Sequence, residues 1–578
     1  MNGTVLRVYL SSILFEKTMK LSNLRFPILL LLVATSVTAF ATNYYVDPSS
    51  GGSNQGTYEN PWHDISDIPQ FVNFFQPGDN IYFRRGQQYW GTLSINSSGR
   101  EGAPITIMTY GDGAAPIFKY GSWNFSEPNI YDRVYIRLNQ CNYIVIDGFE
   151  MNDYTIRDWD RSGTANVGYG VYIYKGSHNT IKNCTMARIG SAVNIDGGSY
   201  NTVSNCNISN LRMIINTSWQ MWDDFGAVGI VVGGSNNTIC NNKIQECWAN
   251  SYDYNLDGGA IEMYGEVSDN KIMYNTASDN IGFMEFGSGW GGHALNNLVG
   301  YNLLVNNGHV FWINSTSVFA LDVRNLQFFN NNVVETKTPR LPDVRNLIGI
   351  MSTPWVANVL TMKNNIFWIN TSSNITDPNF KPFNGPQLVH QSNVIHLNGG
   401  SLGYELDYSE QYLPKDIEVF ANSYSDDPLT WNYDLRPTSA AVNWGQWTGL
   451  LKDFWGKDVP YSGAPDAGIS ESNSSLTPAR ISLASNGEVV EEISRTTGAL
   501  SVSPNPAQDY VYLKLPGDNF INKEVTLVNM AGAILQKQRL NDAGVQVKLN
   551  VSTLPKGAYA VKLLDTKTGK SQSTTFIK

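Results

Sequence analysis

Glu262 and Glu285 each interrupt a strongly apolar segment of the sequence. Because side chains alternate along a strand, their apolar neighbours should face a core and both carboxylates should face the opposite surface. Two carboxylates on adjacent strands suit cleavage of a glycosidic bond, because one donates a proton to the leaving oxygen while the other activates water or attacks the anomeric carbon. Burial among aromatic side chains would raise one pKa and separate the two roles. The sequence predicts the pair but leaves open which glutamate takes which role.

Asp224 and Asp257 are two further candidates for catalytic carboxylates. Each precedes the next strand register by five residues. On strands roughly 4.8 Å apart they could therefore form a second pair, for catalysis or for calcium. Asp253 and His293 are expected to contact substrate. We expect the four catalytic candidates to cluster within one cleft.

Tryptophans are concentrated around the same acidic residues. Trp222 and Trp248 lie close to Asp224 and Asp257, and Trp290 follows Glu285. Exposed indole faces stack on the C–H faces of sugar rings, so these three tryptophans are candidates for binding a polysaccharide. Packing within the loops is the alternative role.

Elimination from a uronate polymer is the alternative chemistry. It needs a base and a cation, often calcium held by aspartates, to neutralise the uronate carboxylate. The candidate groups are His293, His309, Arg324 and Lys243, with Asp224 and Asp257 as calcium ligands. Lys and Arg are sparse around the acids and tryptophans, which favours hydrolysis, and for hydrolysis no metal or other cofactor is expected. A non-catalytic glycan-binding solenoid is the third hypothesis.

Short repeated strands must hold these residues. The repeats share two registers: Asn179, Asn201, Asn237 and Asn270 in one, and Met186, Ile208, Ile244 and Ala277 in the other. The 22-residue spacing from Asn179 to Asn201 suits three short strands and three turns, stacked as a right-handed parallel β-helix. Asparagine suits a fixed register because its amide can hydrogen-bond along the stack and it tolerates left-handed backbone at a turn.

Two coils are longer than this repeat. The spacing is 36 residues from Asn201 to Asn237 and 33 residues from Asn237 to Asn270. In both coils the first strand after the asparagine keeps its spacing, so the extra residues follow that strand. Loops at about 211–224 and 247–257 should therefore leave the same side of adjacent coils and form a wall, which is a common place for binding in repeat proteins.

The composition argues against several classes of function. Charged residues make up only 16%, the net charge is −10, and there are 51 glycines. This suits a β-rich exported protein and argues against nucleic-acid binding and against a strongly anionic polymer as substrate. The five cysteines lack metal-binding spacing. Cys184 and Cys206 share a register and are expected to be buried free thiols, with a disulfide as the alternative.

The N-terminus has the pattern of a signal peptide. Basic residues precede the apolar run 26–37, and a small-residue site at 39–41 predicts cleavage before Thr42. The run is too short to span a membrane, and no later segment reaches that length. The mature protein is therefore expected to be exported, to have no membrane span and to be a monomer. Either Met1 or Met19 is the true start.

The last 80 or so residues form alternating strands after a Ser- and Glu-rich segment, which predicts a small β-sandwich. This module resembles the C-terminal sorting domain of the type IX (Por) secretion system. The matching motifs are Pro504-Asn505-Pro506, Asn529-Met530-Ala531-Gly532, Leu554-Pro555-Lys556-Gly557-Ala558-Tyr559 and Phe576-Ile577-Lys578. The resemblance implies a Bacteroidetes-type bacterium, recognition by the type IX machinery, passage through the periplasm, and release from or attachment to the outer surface.

The segment after the signal peptide resembles the opening coils of parallel β-helix polysaccharide-degrading enzymes. The matching motifs are Tyr44-Tyr45-Val46-Asp47, Asn60-Pro61-Trp62, Pro77-Gly78-Asp79-Asn80-Ile81-Tyr82-Phe83 and, at the end of the domain, Pro465-Asp466-Ala467-Gly468-Ile469. Since this group contains both glycoside hydrolases and polysaccharide lyases, the resemblance implies the fold over about residues 43–471 and does not decide the reaction.

The sequence thus predicts an all-β protein, a right-handed parallel β-helix solenoid followed by a small C-terminal β-sandwich. The expected divisions are a signal peptide at 1–41, a catalytic β-helix at 42–471, a linker at 472–497 and a sorting sandwich at 498–578. The favoured function is a secreted glycoside hydrolase acting on a polysaccharide.

Overall fold

The structure is a computed structural model. It describes residues 41–119, 133–153, 156–161, 167–289, 291–315, 321–341, 345–352, 358–376, 387–414, 417–474, 480–483, 489–493, 500–503, 505–514, 523–529, 533–540, 546–566 and 571–578. The predicted signal peptide therefore lies outside the described residues except for Ala41. None of the helices in the described part of the chain has the length and apolar character of a membrane span.

Three long parallel sheets wind around one core, as predicted for a parallel β-helix. Sheet 1 contains Asn43–Val46, Asn80–Arg84, Ile105–Tyr110, Ile144–Asp147, Thr180–Lys182, Thr202–Ser204, Thr238–Cys240, Lys271–Met273, Leu298–Gly300, Leu326–Phe329, Leu360–Lys363 and Leu388–Gln391. Sheet 2 contains Gln88–Trp90, Ile117–Lys119, Glu150–Asn152, Thr185–Ala187, Asn207–Ser209, Lys243–Gln245, Thr276–Ser278, Leu303–Val305, Asn332–Glu335, Ile366–Ile369, Val394–Leu397 and Gln411–Tyr412. Sheet 3 contains Leu93–Ile95, Val134–Asn139, Tyr169–Tyr174, Ser191–Asp196, Val228–Val232, Gly259–Tyr264, Met284–Gly287, Phe311–Ser315, Asn346–Ser352 and Asn374–Thr376.

Asparagine ladders hold the coils in register. The Asn201 side chain accepts hydrogen bonds from the backbone and the side-chain amide of Asn179, and Asn237 does the same for Asn201. The ladder continues through Asn270, as predicted. All of these side chains are fully buried. Each amide therefore satisfies turn backbone that would otherwise be buried without a partner.

Shorter elements are added to the solenoid. The two-stranded pairs are Met213–Ile215 with Phe225–Gly226, Ala249–Ser251 with Asn255–Asp257, Gly292–Leu295 with Leu321–Arg324, and Phe420–Asn422 with Asn432–Leu435. Two 3₁₀ turns, Ile65–Asp67 and Pro428–Thr430, are also present. A second apolar cluster that includes Trp444 and Ile469 packs near the C-terminal coils. The first two pairs are the predicted insertions and carry residues of the candidate site.

The C-terminal module has its own core. Its strands are Ser501–Ser503, Tyr510–Lys514 and Gln546–Asn550 in one sheet, and Lys523–Asn529, Ile534–Leu540, Ala558–Asp565 and Ser571–Ile577 in the other. Val511, Val561 and Phe576 are among the buried side chains they share. Two sheets around one apolar core make the β-sandwich that the alternating pattern predicts.

The structure bears on two further predictions, the state of the cysteines Cys184 and Cys206 and the linker after the solenoid. Cys184 and Cys206 are buried and free, so the disulfide alternative is wrong. The expected linker contains a two-stranded pair, Arg480–Leu483 with Val489–Ile493. Its first residues also belong to the end of the solenoid, because the backbone N–H of Ser472 donates to the Asp466 carboxylate.

Candidate active site

Glu262 and Glu285 are in register on adjacent strands of sheet 3. Their apolar neighbours in the strand, such as Ile261 and Phe286, are fully buried in the core, whereas both glutamates are only half-buried. Strand alternation therefore places the two carboxylates side by side on the outer face of the sheet. The predicted facing of both glutamates matches the observed register.

Three carboxyl groups on this face influence one another. Burial raises the pKa of Glu262 to about 8, and Glu285 and Asp257 add to the rise. Burial also raises the pKa of Glu285 to about 7, with Asp257 contributing. Burial raises the pKa of Asp257 to about 7 as well. We call Asp257, Glu262 and Glu285 the carboxylate triad. At neutral pH such a group holds protonated and ionised carboxyls together, which general acid–base chemistry requires.

A glycine pair joins the hairpin that ends at Asp257 to the strand that carries Glu262. Asp257 ends the hairpin of the second insertion, and Gly258 and Gly259 follow with φ values of 127° and 153°. A Cβ at Gly258 would lie 2.7 Å from the backbone oxygen of Ala227. Only glycine fits this approach. The Gly258 N–H donates to the Asp257 carboxylate at 2.7 Å and helps to orient it.

Asp224 is not equivalent to Asp257, contrary to the sequence prediction. Its carboxylate accepts hydrogen bonds from Ser251 Oγ at 2.6 Å and from the backbone N–H groups of Thr217 and Asp253. Burial opposes ionisation, but these hydrogen bonds hold the pKa of Asp224 below its ordinary value. A buried, ionised carboxylate that already accepts three hydrogen bonds is not available as an acid or base. Asp224 instead joins the two insertions.

Asp253 also helps to join the two insertions. Its carboxylate accepts from the backbone N–H groups of Asp223 and Asp224. One oxygen from each of these three aspartates lies within 4.8 Å of the others, so they are the described residues that could hold a metal ion. Asp257, the other calcium ligand expected for a lyase, is not part of this group.

Trp248 is not placed to stack on a sugar, and this corrects the sequence prediction. The guanidinium groups of Arg161 and Arg340 each lie 4.2 Å from its ring. Its indole N–H donates to Glu246 at 2.7 Å. Two cations contact the ring and its indole N–H is hydrogen-bonded. Trp248 therefore packs at the start of the second insertion and is not free to bind a sugar.

Trp222 is available for ligand contact. Its side chain is 70% exposed, and its ring lies 6.1 Å from the ring of Tyr254 on the neighbouring insertion. Asn216 bonds the backbone of Asn250 and Tyr252, so the two insertions stand side by side, as their coil positions predict. Trp290 lies outside the described residues.

Three of the basic candidates for elimination lie on other sheets, whereas His309 is buried with its ring 6.1 Å from that of Trp312. Lys243 is exposed on sheet 2, and Arg324 pairs with Asp322. His293 is exposed on a separate two-stranded sheet and bonds Glu266. Burial lowers the pKa of His309 to about 4, so this imidazole is neutral at physiological pH. None of these four groups contributes to the pKa shifts of the carboxylate triad.

Several residues of the site were not selected from the sequence. Burial raises the pKa of Tyr254, and Asp257 and Glu285 both contribute, which places this phenol in the field of the triad. Trp312 is in register with Glu285 on the next strand of sheet 3. Arg161 hydrogen-bonds the backbone of both insertions. Tyr254 and Trp312 could have been found as aromatics beside the acids, but Arg161 has no local sequence signal.

Two sequence families match parts of the chain. Residues 123–333 match the family described as right handed beta helix region, and residues 501–578 match the secretion system C-terminal sorting domain. No curated protein matches the chain.

Solved structures similar to this chain include carbohydrate-active enzymes. A GH136 lacto-N-biosidase from Eubacterium ramulus is 14% identical with a TM-score of 0.41, over 67% of this chain and 70% of that one. A rhamnogalacturonan lyase is 14% identical with a TM-score of 0.42, over 61% and 87%. An alginate lyase from Paenibacillus sp. str. FPU-7 is 14% identical with a TM-score of 0.35, over 60% and 95%. At these identities and TM-scores they assign no activity to this chain. The family matches and the fold together show a right-handed β-helix protein with a type IX secretion sorting domain, directed to the cell surface or the exterior.

Proposed function

We propose that the protein is a glycoside hydrolase that cleaves a polysaccharide at the outer face of sheet 3. The observation that carries this proposal is the carboxylate triad, in which Glu262 and Glu285 are in register and share one desolvated face with Asp257. Hydrolysis needs a carboxylic acid to protonate the leaving oxygen and a carboxylate to activate water or attack the anomeric carbon.

The proton donor is assigned to Glu262. Its raised pKa, about 8, keeps it largely protonated at neutral pH, while Glu285 and Asp257, with pKa values of about 7, are partly ionised there. Glu285 or Asp257 then supplies the carboxylate. Because the three groups interact, their titration belongs to the triad as a whole.

Hydrolysis is favoured over elimination by the charges around the triad. Every charged neighbour that shifts these three pKa values is itself a carboxylate. Elimination requires a cationic group or metal ion to neutralise a uronate carboxylate at the reacting sugar. The acidic group Asp223, Asp224 and Asp253 could hold such an ion, which makes a chelator an informative arm of the test.

The test is a polysaccharide panel digested by the mature protein, with and without chelator. New reducing ends and the ultraviolet absorbance of unsaturated uronates are measured together. We expect reducing ends without the absorbance, and no effect of chelator. Glu262→Gln and Glu285→Gln should each lose at least about a hundredfold in kcat while retaining glycan binding.

Glu101→Gln, an exposed glutamate far from the triad in sequence, is the matched control and should keep full activity. If unsaturated products form and chelator stops their formation, the reaction is calcium-assisted elimination and not hydrolysis. Glycan binding without turnover in the wild-type protein would instead identify a binding solenoid.

A further inference from the structure

The residues that flank the two glutamates along sheet 3 are uncharged. Val231 is in register with Glu262 on one side, and Trp312 is in register with Glu285 on the other. Asn194 precedes Val231 in the same column, and Gly349 follows Trp312. Adjacent strands lie roughly 4.8 Å apart, so this column extends along the solenoid axis as a continuous surface.

Gly349 leaves room for the Trp312 ring beyond Glu285. A Cβ at this position would lie 2.5 Å from the indole of Trp312, so the ring lies directly over the glycine backbone. Trp312 is half-buried, which leaves part of the ring open. A partly exposed indole one strand from a carboxylate is placed to stack on a sugar ring next to the reacting bond.

The charged side chains next to this surface are carboxylates. Glu262 and Glu285 lie in the column itself, and Asp223, Asp224 and Asp253 cluster on the two insertions.

The cations in and beside the wall are occupied. Arg161 and Arg340 both pair with Glu246 and lie over Trp248. Arg212 is buried and donates to the backbone oxygens of Asn210, Leu211 and Arg157.

The next cation along the column is distant. Arg137 is four strands from Glu262 in the same register, roughly 19 Å away at strand spacing. This exceeds the Debye length of about 8 Å at physiological ionic strength. A carboxylated or sulfated sugar bound at the triad would therefore meet like charges, and none of the described residues of this column offers a counter-charge within that distance, which costs affinity.

We infer that the site takes an uncharged glycan chain that lies along the column Val231, Glu262, Glu285 and Trp312, with Trp312 as the stacking platform beside the cleaved bond. This inference rests on the proposed hydrolysis at the triad and adds the substrate class. It separates the protein from enzymes that act on polyuronates or sulfated glycans.

The test compares each neutral polymer with its own carboxymethyl derivative. The probes are mannan, xylan, galactan and mixed-linkage β-glucan, with the Glu262→Gln protein used so that the probes are not degraded. Affinity electrophoresis should show binding to at least one neutral polymer. Binding to its carboxymethyl form should be at least about tenfold weaker at low salt, with the difference narrowing at high salt because repulsion is screened.

Trp312 is tested in the same background. Trp312→Ala should weaken binding by about tenfold or more, and Trp312→Phe should retain most of the affinity because it keeps an aromatic face. Trp455→Ala removes a tryptophan that is 53% exposed in the C-terminal segment and should leave binding unchanged.

Equal or tighter binding of the carboxymethyl polymer would overturn the inference, as would equal effects of Trp312→Ala and Trp455→Ala.

The outcomes that would refute the proposed hydrolysis differ from those that would refute the substrate class. Binding of a neutral polymer with no reducing ends released by the wild-type protein would refute hydrolysis but keep the substrate class. Hydrolysis of a polyuronate in preference to its carboxyl-reduced form would refute the substrate class but keep hydrolysis. Binding to no neutral polymer would count against both.

Discussion

At the scale of single residues, the triad makes activity depend on a narrow range of pH. Glu262 must keep its proton, and Glu285 or Asp257 must lose one. Their pKa values of about 8, about 7 and about 7 therefore predict a bell-shaped profile with its maximum between about pH 7 and pH 8.

The alkaline side of this profile tests the assignment of Glu262. Asp257→Asn removes one of the charges that raise the pKa of Glu262, so the residual activity should begin to fall at lower pH than in the wild-type protein. The measurement is kcat/KM across the pH range for both proteins. An unchanged alkaline limb would mean that another group donates the proton.

The triad should also reduce stability at alkaline pH. A carboxyl with a raised folded-state pKa favours the fold while it is protonated, and this contribution is lost as pH rises through the folded pKa. Glu285→Gln should therefore have a melting temperature close to that of the wild type at pH 4 and roughly 2–6 °C higher at pH 9. Glu101→Gln should show no such difference between the two pH values. A Glu285→Gln protein that gains nothing at pH 9 would show that the site is better solvated than its burial indicates.

At the scale of elements, the asparagine ladder supports the coils that present the site. Asn237→Leu removes the acceptor for two hydrogen bonds from Asn201 and leaves those donors buried. We expect a loss of roughly 2–4 kcal/mol in the free energy of unfolding, with kcat retained in the folded fraction. Chemical denaturation measures it. Thr238→Leu adds the same side chain one residue later, at a half-exposed position, and should cost much less. Equal stability of the two variants would contradict the ladder's role.

A buried guanidinium, that of Arg161, links the two insertions. Arg161 donates to the backbone oxygens of Leu211 and Trp248, and to the Asn210 side chain. Lysine has no planar fork and cannot make this set of bonds. Arg161→Lys should lower kcat several-fold and speed proteolysis within residues 211–257, because Asp257 loses its support. Limited proteolysis with mass spectrometry locates the cleavage. Arg188→Lys, at a guanidinium bound to Asn152 and Asp158, is the control and should not open the insertions.

At the scale of the whole molecule, the sorting sandwich should be dispensable for catalysis. Its core is a separate cluster, whereas Asp466 and Glu471 are buried within the end of the solenoid and bonded to its backbone. A protein ending at Ser474 should fold and keep wild-type kcat in vitro.

The segment after Ser474 provides the control for this truncation. The strand Arg480–Leu483 lies next to Gln411–Tyr412, the last strand of sheet 2. An exposed strand edge promotes aggregation. If the protein ending at Ser474 aggregates while one ending at residue 499 does not, the pair 480–493 covers that edge and belongs to the catalytic domain. Loss of activity in both proteins would contradict an independent solenoid.

The sequence by itself determined the solenoid, the asparagine register and the position of the two insertions. These features follow from local periodicity, because strand alternation and coil length are properties of neighbouring residues. The same alternation placed Glu262 and Glu285 together on the outer face. The sorting sandwich was likewise predictable, from its motifs and its alternating strands.

Only the tertiary structure decided what each remaining side chain does. Asp224 and Asp257 look alike in the sequence, but Ser251 from the other insertion hydrogen-bonds to Asp224, whereas Asp257 raises the pKa values of Glu262 and Glu285. Trp248 is not free to stack on a sugar, because the guanidinium groups of Arg161 and Arg340 lie over its ring. Arg161 is 87 residues away in the sequence. Contacts between distant residues set desolvation and hydrogen bonding, and these in turn decide whether a carboxylate or an indole is available for chemistry.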